Sequence, residues 1–403
     1  MLKSAEAMDF ERLIQRFTTT RAKSEKLAEP LSEEDCLLQA MPDVSPTKWH
    51  LAHTSWFYEQ FLLLPYSKKF RPFRPDYSFL FNSYYEGVGT RVERPKRGLL
   101  SRPSLNEVQL YRKFVTAAVQ EFLSESPPPE TLPIVELGIH HEEQHQELIL
   151  TDIKFNLFCN PQRPAYSKVR SHPIASKQPP TWISFAEGIH HIGCDSKDFA
   201  FDNERPRHRV FLENFEIYNR GVTNEEYLEF IEARGYQRPD LWLSDGWAAV
   251  QKNNWTAPLY WEPTGSAKNA RQSFSVFTLQ GMQPLPAEEP VTHLSHYEAD
   301  AYARFRGKRL PSEMEWETAV ANAGTDLEDR GISWEWTSSA YLPYPGFRPF
   351  ENGLGEYNGK FMSNQMVLRG GSIATPHDSL RTTYRNFFPP ESRWQFTGVR
   401  LAQ

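Results

Sequence analysis

Two histidines four residues apart, His141 and His145 in the run HHEEQHQE (140–147), are the strongest chemical signal in this chain. At that spacing two imidazoles share one helix face, a turn apart, which suits chelation of a single metal ion. The stretch from about Leu132 to Phe158 reads as a helix, with Leu137, His141, His145 and Leu148 along one partly apolar stripe. Polar rings on a core-facing stripe need partners, and a metal ion is one.

The same five residues, 141–145, fit the H-E-x-x-H pattern of zinc peptidases, which needs a third ligand. The extended peptidase motif would place Gly at 148 and His at 151, where this chain has Leu148 and Thr151. The other route, a downstream glutamate, finds little support: after Glu147 only Asp152 is acidic before Glu187. Glu142-x-x-His145 also resembles half of a di-iron site, but no second Glu-x-x-His lies near it. A mononuclear site needs another ligand from a facing helix. His50 and His53 are the candidates. Trp49/His53/Trp56 and His50/Phe57/Phe61 are both plausible helix faces, so periodicity alone does not choose between them.

The elements that must position these residues are legible over the first ~160 residues. Phe10, Leu13, Ile14 and Phe17 predict an opening amphipathic helix, broken at Pro30 and Ser32. A second helix is expected from Ser45-Pro46, as N-cap and first-turn proline, to Pro65. A long Pro-, Arg- and Tyr-rich loop follows to Pro103, and loops of that length are usually functional. The box Ser104-x-x-Glu107 opens a third helix, and the histidine pair sits on the fourth. Four amphipathic helices imply a bundle with a metal site between facing helices. Residues 161–180 read as a Pro- and basic-rich linker. Beyond Trp182, short strand-like pieces (TWISFAE, HHIGCD, HRVFLENFEIYN, MVLRGGS, QFTGVRLA) alternate with short helices. These open at Thr223-x-x-Glu226, Ser295-x-x-Glu298 and Ser312-x-x-Glu315, and the first two stop at Gly235 and Gly307. The expected class is α+β.

Composition sets outer bounds. At 403 residues the chain holds two or three domains of about 100–200 residues each. Its 11 Trp and 27 Phe supply ample core. A net charge of −6, from 45 basic and 51 acidic residues, argues against a nucleic-acid surface. No apolar run reaches the roughly 18 residues of a membrane span, and the N-terminus lacks a signal peptide's apolar core. Cys36, Cys159 and Cys194 are too scattered for a disulfide framework and read as reduced thiols of a cytoplasmic protein.

WHLAH (49–53), NSYYEGVG (82–89), HHEEQHQE (140–147), GKRLPSEMEWE (307–317), WEWTSS (334–339), LRGGS (368–372) and YRNFFPPESRWQFTGVRLA (384–402) occur in that order. Together they resemble the ergothioneine-type sulfoxide synthases over nearly the whole chain. The resemblance implies a DinB-like four-helix bundle (1–160), a linker (161–180) and an irregular C-type-lectin-like, formylglycine-generating-enzyme-like domain (181–403) that completes the active site. It also implies non-haem Fe(II) held by His53, His141 and His145, with His50 and His140 as neighbours. Three neutral imidazoles leave three positions of an octahedral ion open, for the imidazole of hercynine (trimethylhistidine), the thiolate of cysteine and O2. The implied reaction joins sulfur to imidazole C2 and oxidises that sulfur to a sulfoxide.

Further roles follow from the same resemblance. Gln144 contacts the substrate imidazole. Tyr84 and Tyr85, not resolved from each other, donate a proton or hydrogen atom, which a phenol does without carrying charge. Without that donor the expected side product is a sulfinic acid. Arg94 binds the cysteine carboxylate, while Arg97 reads more readily as part of a solvated basic loop. Asn386 binds the betaine end of hercynine, and Phe387 offers its ring to the trimethylammonium. Phe388 stands where relatives using γ-glutamylcysteine carry Asp, which argues for cysteine itself as sulfur donor. Cys194 is the only cysteine after residue 160, so the paired cysteines of formylglycine formation have no counterpart. An ovothiol-type synthase acting at C5 of histidine, and a non-catalytic DinB-like metal-binding module, are the rival readings. The expected partners are small molecules, with no nucleic acid and no membrane, and homo-oligomerisation is left open.

Overall fold

The computed structural model describes residues 2–125, 127–168, 179–265, 274–350 and 358–403, and of residues 2–9 and 325 the backbone alone. It divides into two compact units, Met1–Tyr166 and Ser167–Gln403. The linker expected over 161–180 lies in large part outside the described residues.

The first unit is helical. Helix α1 spans Leu2–Ala28, and α2 spans Thr47–Tyr58 and continues through a π turn (Glu59–Leu63) into the short α3 (Leu64–Tyr66). After α4 (Tyr77–Leu80) come the long helices α5 (Leu105–Ser124) and α6 (Leu132–Cys159). Helix α2 packs on α5 and α6, and α1 packs on the same two helices. The Ser104–Glu107 capping box forms as expected: Ser104 N–H donates to Glu107 at 2.8 Å, and Glu107 N–H to Ser104 Oγ at 3.2 Å.

Three expectations need correction here. Ser45 does not cap α2. Pro46 occupies the cap position, while Ser45 Oγ accepts from the buried Arg97. Nor does the helix stop at Pro65, because the π turn carries it to Tyr66. The segment 65–103 is not all loop: it contains α4 and a 3₁₀ run, Arg94–Leu99.

Every residue of α2 is buried. A helix enclosed on all sides has no polar face, which is why its periodicity could not choose between His50 and His53. Helices α2 and α6 also approach closely at Gly138, where an added Cβ would sit 2.5 Å from the ring of Tyr58.

The second unit combines short strands and helices. Strand β1 (Trp182–Phe185) pairs antiparallel with β4 (Phe215–Tyr218), and β2 (Gly188–Ile192) with β3 (His208–Leu212). Helices α7 (Asn224–Glu232) and α8 (Ser244–Asn253) precede an antiparallel sheet of β5 (Trp261–Pro263), β6 (Phe274–Thr278) and β7 (Gly281–Pro284). After α9 (His296–Phe305) and α10 (Glu313–Ala323) come β8 (Trp334–Ala340), β9 (Met366–Arg369), β10 (Asn386–Phe388) and β11 (Thr397–Gly398). They form a sheet in the order β10-β9-β8-β11, with β11 parallel to β8. The architecture is α+β, as the sequence predicts. The boxes at Thr223, Ser295 and Ser312 all close, although α7 ends at Glu232, before Gly235.

Phe215, Ile217, Trp316, Ala319, Val320 and Leu327 form a core cluster under α10. Behind it, Glu335 accepts from Trp316 Nε1 at 2.6 Å and from Arg400 Nε at 2.7 Å, all three buried. The GG of LRGGS has a backbone reason: Gly370 and Gly371 have φ of +100° and +78°, and a Cβ on Gly371 would meet Leu380 at 2.1 Å.

Candidate metal centre

Three imidazoles converge inside the helical unit. His53 comes from α2, His141 and His145 from α6, and one ligand nitrogen from each lies within 4.8 Å of the others. The ring centroids are 5.0 Å (His53–His141), 4.8 Å (His53–His145) and 4.6 Å (His141–His145) apart. All three are buried. No other cluster of three potential ligands occurs among the described residues.

The surroundings keep these rings neutral. Burial is the largest cause in each case, because a charged imidazolium loses its hydration there. It holds His141 down at about 3, with the Glu142 carboxylate pulling the other way. His53 and His145 lie well below the ordinary histidine value, lowered by burial and by the neighbouring imidazoles. Neutral rings are the form that ligates metal.

The donor set fits a divalent ion. His53 Nδ1–H donates to the carbonyl of Phe81 at 2.6 Å, which leaves its Nε2 as a lone pair. That Nε2 is buried with no hydrogen-bond partner, an arrangement costly in itself that coordination of an ion would offset. The ring of His53 lies between two indoles, stacked on Trp49 at 4.6 Å and 12° and on Trp56 at 5.3 Å and 21°. Such packing fixes the ring without adding a competing donor.

Glu142 takes no part in this cluster. Its carboxylate accepts from Ser24 Oγ (2.7 Å), Arg21 Nη1 (2.8 Å) and Arg112 Nη2 (2.9 Å). Burial alone would raise its pKa, but the two guanidiniums outweigh that and hold it at about 2. A carboxylate so committed is no general base, which removes the role a zinc peptidase needs from this residue.

The remaining candidates fall as follows. Tyr85 is buried and Tyr84 half-buried, with rings stacked at 4.7 Å. Tyr85 packs on Trp56 at 5.5 Å, and Trp56 on His53, so the pair is linked to the triad by contiguous aromatic contacts. Gln144 is half-buried on α6, between the two histidines. Arg94 is exposed at the start of its 3₁₀ run. The expected order of Arg94 and Arg97 in solvation is reversed. Arg97 is buried, its guanidinium 3.4 Å from the centroid of Trp49, donating to Ser45 Oγ at 2.9 Å and Ser83 Oγ at 3.1 Å. Nothing in the local run ERPKRG distinguishes it, because its partners come from other segments.

His50 lies behind His145, its Nδ1 2.8 Å from His145 Nδ1. His140 is buried on α6 outside the cluster, beside Arg16 and Glu143. Asn386, Phe387 and Phe388 form β10 in the second unit. There Phe387 stacks on Tyr341 at 4.0 Å, and Phe388 meets Trp394 edge-on at 5.7 Å. The adjoining Arg385 is clamped by Glu313 through bonds of 2.8 and 2.9 Å.

Residues 16–149 match the DinB superfamily, and residues 169–330 match the sulfatase-modifying factor enzyme 1-like domain. Over 97% of its length the chain is 30% identical to the hercynine oxygenase of Mycolicibacterium smegmatis, covering 98% of that protein. It shows the same identity and coverage toward the hercynine oxygenase of Mycobacterium tuberculosis. Against ergothioneine biosynthesis protein 1 of Schizosaccharomyces pombe it is 26% identical over 51% of this chain and 28% of that one. No described helix is long and apolar enough to cross a membrane.

Proposed function

The chain belongs to the hercynine oxygenase family, and on that footing we propose that it is an Fe(II)- and O2-dependent sulfoxide synthase of ergothioneine biosynthesis. The substrates are hercynine, cysteine and O2. The observation that carries the reading is the buried cluster of His53, His141 and His145 in a chain that aligns over 97% of its length with a hercynine oxygenase. The reaction breaks the imidazole C2–H and the thiol S–H, forms C2–S, and leaves one oxygen on sulfur and the other in water. Iron, when bound, supplies the one-electron chemistry that O2 needs.

The chain's own residues hold and orient. His53, His141 and His145 present neutral nitrogens to the ion from two rigid helices. Gln144 contacts the hercynine imidazole, and Arg94 pairs with the cysteine carboxylate. A phenol of the Tyr84–Tyr85 pair delivers a proton or hydrogen atom, steering the oxidised sulfur away from a sulfinic acid. By resemblance, Asn386 and Phe387 serve the betaine end of hercynine, and Phe388 favours cysteine over γ-glutamylcysteine. The domains in this reading are 1–160 and 181–403, joined by 161–180, in a cytoplasmic protein.

The test is anaerobic reconstitution with Fe(II), followed by hercynine, cysteine and O2, with products identified by mass spectrometry and proton NMR. A sulfoxide adduct lacking the imidazole C2 proton is the expected product. A C5 adduct formed better from plain histidine would assign the protein to the ovothiol type. Iron binding without turnover would leave a non-catalytic module.

A further inference from the structure

Asp152, the one acidic residue between Glu147 and Glu187, is buried on α6 two turns beyond His145. Its Oδ2 accepts from the backbone N–H of Ser45 at 2.8 Å and lies 3.0 Å from His50 Nε2. On the other side of the same ring, His50 Nδ1 lies 2.8 Å from His145 Nδ1. The three residues are 4 %, 2 % and 8 % exposed in the order Asp152, His50, His145, so water has little access to these bonds.

Proton positions along this chain follow from donor inventory. An ionised carboxylate only accepts, so His50 carries its proton on Nε2. A neutral His50 then has a lone pair at Nδ1, and His145 must donate from its own Nδ1. His145 is left with its lone pair on Nε2. His53 reaches the same tautomer by a different route, through the Phe81 carbonyl.

We infer that Asp152 and His50 form a positioning relay for the metal ligand His145. The relay selects the Nδ1–H tautomer and makes Nε2 a stronger donor to the ion. This rests on the metal-centre reading above and extends it to residues beyond the ligand set. Carboxylate-to-ligand relays of this kind orient the ring and raise its basicity, and their loss typically lowers metal affinity 10–100-fold. The Ser45 N–H bond adds an anchor: the carboxylate is held by the backbone just ahead of α2, the helix that carries His50 and His53. Two buried apolar side chains could fill the same space but could not set a tautomer.

The test titrates the metal-free full-length protein with Co(II) against a competing chelator, for wild type, Asp152→Ala, Asp152→Asn and His50→Gln. Asp152→Ala is expected to weaken binding about 10–100-fold. Asp152→Asn keeps an acceptor oxygen for Ser45 N–H and His50, so its loss should be smaller. Thermal unfolding of the metal-free proteins controls for folding. If Asp152→Ala does not fold, the Asn and Gln variants carry the comparison. A second readout is the ¹⁵N–¹H spectrum of the histidine-labelled, metal-free wild type. There His145 should show a protonated Nδ1 and an unprotonated Nε2. Folded variants that bind Co(II) as tightly as wild type, or a protonated His145 Nε2, overturn the relay alone. A wild type that binds no ion removes the metal-centre reading, and the relay with it.

Discussion

Glu142 and Arg112 form a fully enclosed ion pair at 2.9 Å, both side chains 0 % exposed. The same carboxylate takes Arg21 and Ser24 from α1, while Arg112 also donates to Thr54 Oγ1 at 2.8 Å, and Arg21 to Ser55 Oγ at 2.6 Å. Helices α1, α2, α5 and α6 thus meet at one node. Glu142 directly follows His141 in the chain, and Thr54 directly follows His53.

Glu142→Ala is therefore expected to do more than remove a side chain. It strands two buried guanidiniums, and breaking such a pair from one side costs about 3–5 kcal/mol. Chemical denaturation of the metal-free protein should show a loss of that order. A change within about 0.5 kcal/mol, the range of an ordinary surface substitution, would mean the node holds nothing together.

Glu59, buried in the π turn after α2, gives stability a pH dependence. Burial raises its pKa from 4.5 to about 7, against smaller lowering contributions from Phe73 N–H, Tyr111 and Gln60. A raised carboxyl pKa means the native state holds the proton more tightly than the unfolded chain. Its contribution is thus full below the unfolded value and is lost as pH rises from 4.5 through about 7. The shift corresponds to roughly 3 kcal/mol. Glu59→Gln should raise the unfolding temperature at about pH 8 and flatten the decline above about pH 5. Parallel pH profiles for mutant and wild type would contradict this.

Gly138 lets α2 and α6 approach at Tyr58, since its Cβ position lies 2.5 Å from that ring. Gly138→Ala should destabilise by about 1–3 kcal/mol despite alanine's better helix propensity. Tyr58→Leu in the same chain should recover part of that loss. If Gly138→Ala raises the unfolding temperature, the ring moves aside freely and the contact is not limiting.

Replacing His53, His141 or His145 by Ala should abolish stoichiometric iron binding, measured by metal analysis after reconstitution. Full iron content and activity in His53→Ala, with both lost in His50→Ala, would reverse the ligand assignment. For the tyrosines, Phe at 84 or 85 should shift product from sulfoxide toward cysteine sulfinic acid. An unchanged ratio in both variants would remove the proposed donor role.

Features encoded within a turn or two of chain were readable before any coordinates. The four capping boxes at Ser104, Thr223, Ser295 and Ser312 each need only residues i and i+3, and all four close. The His141–His145 spacing needs only a helix, and α6 provides it. The α+β layout followed from a change of periodicity near Trp182.

Helix α8 and the β5–β7 sheet were not anticipated, and β8 and β10 were present only as motifs. Helix α8 has no side-chain cap, and β8 draws its parallel partner, β11, from about 60 residues away in sequence. Arg97 reads as a surface residue until Trp49, Ser45 and Ser83 enclose it. Asp152 is an ordinary helix acid until Ser45 and His50 meet it across the bundle. His53 joins the histidine cluster while His50 stands behind it, a difference that depends on how α2 is rotated against α6. Residue spacing carries the local hydrogen bonds, whereas helix rotation and long-range pairing depend on packing among segments that are neighbours only in the folded chain.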